Sequence, residues 1–81
     1  MDINQIIRAI IIQIDAEGRG QDIGNDESLF DTGILDSLKM MQLIPEIERQ
    51  FSMAFQPEDL TPENFCTINN ISCYILNKMK E

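Results

Sequence analysis

Within the first fifteen residues, isoleucines at positions 3, 6, 7, 10, 11 and 14 form a stripe. Apolar residues recurring at i, i+3, i+4 and i+7 line one face of a helix, so the spacing predicts a helix over 2–15. The six side chains of this stripe are β-branched, which resists helix formation, so burial of the stripe has to override local preference. The pattern then breaks. AEGRGQDIGNDES, residues 16–28, brings three glycines and many polar side chains, the marks of a connecting segment. A connection from 16 to 36 is long for a small domain and needs anchors, which Ile23, Leu29, Phe30 and Ile34 can supply.

Periodicity returns in SLKMMQLIPEIERQF, residues 37–51, with Asp36 placed to cap the helix. Wound at about 100° per residue, Met40, Leu43, Ile44, Ile47 and Phe51 share a core-facing side. Ser37, Leu38, Met41, Pro45 and Glu48 fall on a second arc that starts beside the core and turns outward. This helix therefore carries more apolar surface than one core face uses. Either a second neighbour such as the short third helix covers the surplus, or it forms a docking stripe rimmed by Glu46, Glu48 and the acidic loop. Pro45 takes away the N–H that would bond the Met41 carbonyl and is expected to bend the helix.

Beyond residue 51, Pro57 and Pro62 interrupt SMAFQPEDLTPEN, leaving room for one short helical turn over about 62–66. A last helix is expected over 68–79, capped by Thr67, with Ile68, Ile71 and Ile75 inward and Lys78 and Lys80 near its negative end. Nothing reads as a strand. The expected fold is all-α: a small four-helix bundle of three main helices and one short one, with a long first loop, in a single domain over 1–81.

Composition narrows the function. The chain has 81 residues, 43% of them apolar, enough for a modest core but not for a deep cleft. Its net charge of −8 repels phosphate backbones, disfavours nucleic acid and steers partners with basic patches. Five methionines suit adaptable contact surfaces. No apolar run reaches membrane-spanning length, and Arg8 and Gln13 interrupt the only stretch resembling a leader. The expectation is a reduced, cytoplasmic monomer that does not insert into membranes.

Candidate chemistry is sparse. There is no histidine and no credible nucleophile–base pair. Cys66 and Cys73 on one helix would stand roughly 10 Å apart, too far for a disulfide. Both are read as structural, with Cys73 a small buried thiol of the last helix. DAEGRGQDIGND sets Asp15, Glu17, Gly20 and Asp26 at calcium-loop positions, but Arg19 stands at a ligand position and the chelating glutamate is missing, so no metal is expected. Ser37 differs from these. Behind the cap Asp36 it occupies the first helical position: by these two residues alone an ordinary Asp-Ser helix start, but also a place where free N–H groups and the dipole favour a phosphate ester.

LFDTGILDSL, residues 29–38, resembles the prosthetic-group attachment motif of the acyl and peptidyl carrier protein family. The resemblance extends along the chain: a first helix, a loop with Leu-Phe, Asp-Ser-Leu opening the second helix, EIERQF closing it, and F-x-T-I-x-x-I entering the last. It implies 4′-phosphopantetheine on Ser37, added from coenzyme A by a magnesium-using phosphopantetheinyl transferase, with an acyl or aminoacyl group held as a thioester on the arm. The carrier itself would be non-catalytic. Glycine three positions before the aspartate, and Lys39, Met40 and Met41 after the motif, look more like D-alanyl and stand-alone peptidyl carriers. Those are loaded by an adenylating ligase and pass cargo to acyl-transfer or condensing enzymes. Partner contacts would then use Asp36, Leu38, Met41, Pro45 and Glu48. Two other readings remain at this stage: a discrete acyl carrier for fatty-acid or polyketide synthesis, and a small acidic interaction domain without a prosthetic group.

Overall fold

A computed structural model describes residues 2–15 and 22–80. Four α-helices follow in order: α1 over Ile3–Ile14, α2 over Ser37–Phe51, α3 over Pro62–Phe65 and α4 over Ile68–Met79, with a 3-10 turn at Pro57–Asp59. Among the described residues no strand forms. Three caps are side-chain oxygens accepting first-turn N–H groups: Asp2 from Asn4 at 3.0 Å, Asp36 from Lys39 at 2.8 Å and Thr67 from Asn70 at 3.0 Å. α2 ends on Ser52 in the left-handed region, φ 52°, where its N–H bonds the Glu48 carbonyl.

The β-branched stripe of α1 is buried as expected. Ile7, Ile10 and Ile11 meet Leu43 and Ile47 of α2 and Ile68, Ile71 and Ile75 of α4 in one core. α1 packs against both α2 and α4, and α3 lies on α4. Met40, Ile44 and Phe51 sit half-buried at the edge of this core. Phe55 and Phe65 belong to the same core, their ring centroids 5.4 Å apart, and Tyr74 stacks on Phe55 at 5.1 Å. The Tyr74 hydroxyl donates to Asp59 at 2.7 Å, and the Phe55 N–H donates to Glu48 at 2.9 Å. These bonds hold the α2–α3 connection down.

The long first connection is anchored by Ile23, Leu29 and Ile34, all buried, and by half-buried Phe30. Leu35 is an additional anchor, also out of water. Polar tethers do the rest. Arg8 of α1 donates to the Ile23 carbonyl at 2.5 Å and to Asn25 at 2.7 Å, while the Leu29 N–H reaches the Cys66 carbonyl at 2.7 Å. Arg8→Ala is expected to cost about 1.5–3 kcal/mol, the range for hydrogen bonds to a charged group, read as a lowered midpoint in urea. An unchanged midpoint would mean the apolar anchors suffice.

Two expectations need correction or completion. Cys73 is exposed, not buried: the inward face of α4 is taken by Ile68, Ile71, Ser72 and Ile75, and position 73 falls outside it. Of the calcium-loop positions, Glu17 and Gly20 lie outside the described residues. Asp15 is buried against Lys39, and Asp26 accepts from Asn69 at 2.5 Å.

Candidate functional site

The run that precedes α2 alternates between burial and exposure. Ile34 and Leu35 are buried, and the Leu35 N–H bonds the Leu29 carbonyl at 2.9 Å. Just before them, Gly33 reverses the chain at φ 80°, a conformation that a side chain strains. The Asp36 backbone is extended and its carboxylate holds the Lys39 N–H; its carbonyl accepts the Met40 N–H at 2.9 Å. Helix α2 can therefore begin only at Ser37. Asp36→Ala is expected to remove about 1 kcal/mol of stability, in line with other cap deletions, and to fray the first turn; thermal unfolding and helicity check it. A change within about 0.3 kcal/mol would mean water replaces the cap.

Ser37 is exposed, and among the described residues no group hydrogen-bonds its hydroxyl. The Ser37 and Leu38 N–H groups take no acceptor among those residues either, so donors stand free beside the oxygen. A groove of about 260 Å³ opens at the same place, lined by Phe30, Ser37, Met40, Ile44, Leu60, Thr61 and Pro62. A phosphodiester on the serine would meet N–H donors and the positive end of α2, and a chain leaving it would find an apolar channel. The residues fit a phosphate-linked arm.

The outer arc of α2 is where the sequence placed it. Leu38 is 69% exposed and Met41 72%, and Pro45 is exposed within an unbroken helix. The third helix does not cover them. Glu48 lies on the same arc but is half-buried, with one carboxylate oxygen taken by Phe55. Glu46 pairs with Arg49 at 2.5 Å. Sequence reasoning missed Leu60, 40% exposed at the groove's far wall, because no periodic pattern marks a residue between two prolines. Among the described residues no group of acids and thiols could hold a metal, and no helix is long and apolar enough to cross a membrane.

Fold and site together define a small helical scaffold that holds one serine hydroxyl out beside an apolar groove. The family described as phosphopantetheine attachment site matches residues 5–75. A D-alanyl carrier protein of Lactococcus lactis subsp. cremoris is 36% identical over 56 residues, 69% of this chain and 71% of that one. Its counterpart in Streptococcus suis is 32% identical over 79 residues, 98% of each chain. A holo acyl carrier protein from Nitrosomonas europaea, solved by NMR, shares the fold, with a TM-score of 0.87 over 100% of both chains at 18% identity. A crystal structure of Bradyrhizobium japonicum glycine:[carrier protein] ligase complexed with glycylated carrier protein matches with a TM-score of 0.75 at 26% identity, over 86% of this chain and 93% of that one. The chain belongs to the phosphopantetheine attachment-site family: it is a carrier protein, with 4′-phosphopantetheine as its prosthetic group.

Proposed function

We propose that Ser37 bears the arm and that this single carrier domain presents an aminoacyl group to its partner enzymes. The observation that carries this reading is the exposed, unpartnered Ser37 hydroxyl at the start of α2, beside the groove. In the attachment step Ser37 Oγ bonds the phosphorus of coenzyme A nearest the pantetheine. Adenosine 3′,5′-bisphosphate leaves, and the serine proton passes to a base of the phosphopantetheinyl transferase. Asp36 fixes where the oxygen stands, and the free N–H groups of Ser37 and Leu38 face the anion that forms. When bound, the group supplies a terminal thiol on which an acyl group is held as a thioester.

The same reading takes Leu38, Met41 and Pro45, with Asp36 and Glu48 at the rim, as the surface a partner grips. Its apolar centre and acidic border suit a transferase or ligase presenting an apolar pocket edged with basic residues. An aminoacyl cargo loaded by an adenylating ligase is favoured by likeness to D-alanyl carriers and to the glycine ligase–carrier complex. The chain contributes no catalytic group of its own, and its work lies in the cytoplasm, where coenzyme A and ATP are available. A tethered thioester gains effective concentration at each partner's active site without any new contact. Intact mass of the protein from its native host tests arm and cargo together. A gain of about 340 Da plus an aminoacyl mass supports the reading; a long acyl chain in its place overturns the aminoacyl assignment.

A further inference from the structure

Asp15, the C-cap of α1, and Lys39 of α2 form a buried ion pair. The Asp15 side chain is entirely out of water, Lys39 is mostly covered, and Nζ stands 3.3 Å from the carboxylate oxygen. Each residue is badly placed for its own helix. Asp15 caps the C-terminal, negative end of α1, and Lys39 lies in the first turn of α2, at the positive end. A buried carboxylate is costly unless it is paired, and the dipole of neither helix favours the charge placed at its end. What the pair does is join two ends. It ties the C-cap of α1 to the first turn of α2 across the whole long connection.

We propose that Asp15 is a positioning residue for arm attachment, acting through Lys39 on the turn that carries Ser37; this rests on Ser37 being the arm-bearing residue. Lys39 is held twice. Its N–H is bonded to the cap Asp36 at 2.8 Å and its ammonium to Asp15. Upstream, buried Ile34 and Leu35 hold the chain that delivers Asp36. Ser37 thus lies between two fixed points while its hydroxyl bonds nothing among the described residues. A helix end exposed in this way ordinarily frays. The pair also sends the lysine charge toward α1 and away from the serine, since residues at i and i+2 do not face each other on a helix. Developing negative charge on the ester meets N–H donors whose position is set, not a mobile cation.

The test compares full-length apo-protein with Asp15→Asn, Lys39→Met, the two combined, and Lys39→Arg. Each is given coenzyme A, magnesium and a phosphopantetheinyl transferase, with kcat and KM read separately, and amide hydrogen exchange is followed at 37–40. Either single change is expected to lower kcat for arm transfer by about tenfold with KM unchanged, because the docking residues are untouched. The double variant should lose no more than a single one, and Lys39→Arg should recover most of the rate. Exchange at 37–40 should quicken in the slow variants and stay slow in Lys39→Arg. Arg8→Ala, which loosens the fold elsewhere, controls for general destabilisation. Unchanged kcat, or losses matched by Arg8→Ala at equal stability, overturns the positioning role and leaves Ser37 as the arm site. A wild-type chain that takes no arm overturns both. Should Asp15→Asn fail to fold, Lys39→Met against Lys39→Arg decides.

Discussion

Ser37→Ala, incubated with coenzyme A, magnesium and a broad-specificity phosphopantetheinyl transferase, is expected to keep its apo mass, while the unaltered chain gains about 340 Da. The loss should be complete, because the reaction needs an oxygen at this position and alanine has none. The fold should not notice. Ser37 is exposed, its hydroxyl bonds nothing among the described residues, and the cap belongs to Asp36. Stability is therefore expected to stay within about 0.5 kcal/mol, as for other surface substitutions away from a special feature. That separation makes the experiment decisive, since lost modification cannot be blamed on lost structure. A mass gain that persists in Ser37→Ala would put the arm on another residue and remove the basis of the proposed site.

The second large effect sets two faces of one helix against each other. Ile47 of α2 is fully buried in the shared core, and Ile47→Glu places an unpaired carboxylate there. The cost is several kcal/mol, comparable to the ~5–10 kcal/mol that hold a domain this small together, so the variant should be largely unfolded by circular dichroism. Leu38→Glu and Met41→Glu should fold normally, because both side chains already stand in water. In those two, arm transfer or cargo loading should fall by about ten- to thirtyfold, as when an interface anchor worth ~2 kcal/mol is lost. Unfolding of all three alike would make the outer stripe part of the core. Normal transfer in Leu38→Glu and Met41→Glu would move docking elsewhere. Ile44 belongs to neither set: it is half-buried and lines the groove at Ser37, so a charge there disturbs packing and the arm's channel together.

The helices were legible because each had to bury an isoleucine- or leucine-rich stripe, and periodicity records that directly. The serine was legible for a related reason: an aspartate before an amphipathic run fixes a helix start, and with it the exposure of the next residue. Leu35 was harder, because a buried residue inside an irregular connection follows no period. Glu48 was assigned to the surface by angle alone, whereas the fold turns its carboxylate toward the Phe55 N–H seven residues on. The Asp15–Lys39 pair was out of reach for a stronger reason. Its members are 24 residues apart, and their charges run against helix-end preference, so local rules argued against both. Such a pair exists only once α1 and α2 have been packed together.

The exposed sulfur on α4 has a consequence for analytical work on the loaded form. The arm ends in a thiol, so loading is naturally followed by counting thiols before and after charging. Cys73 adds a second accessible sulfhydryl to that count, and half-buried Cys66 adds a slower one. A disulfide reagent would then report incomplete charging of a fully charged chain, and air oxidation could couple the arm to a neighbouring molecule through α4. Cys73→Ser, at a position that packs against nothing in the core, leaves the arm as the only fast-reacting sulfur and makes thiol loss a direct measure of cargo.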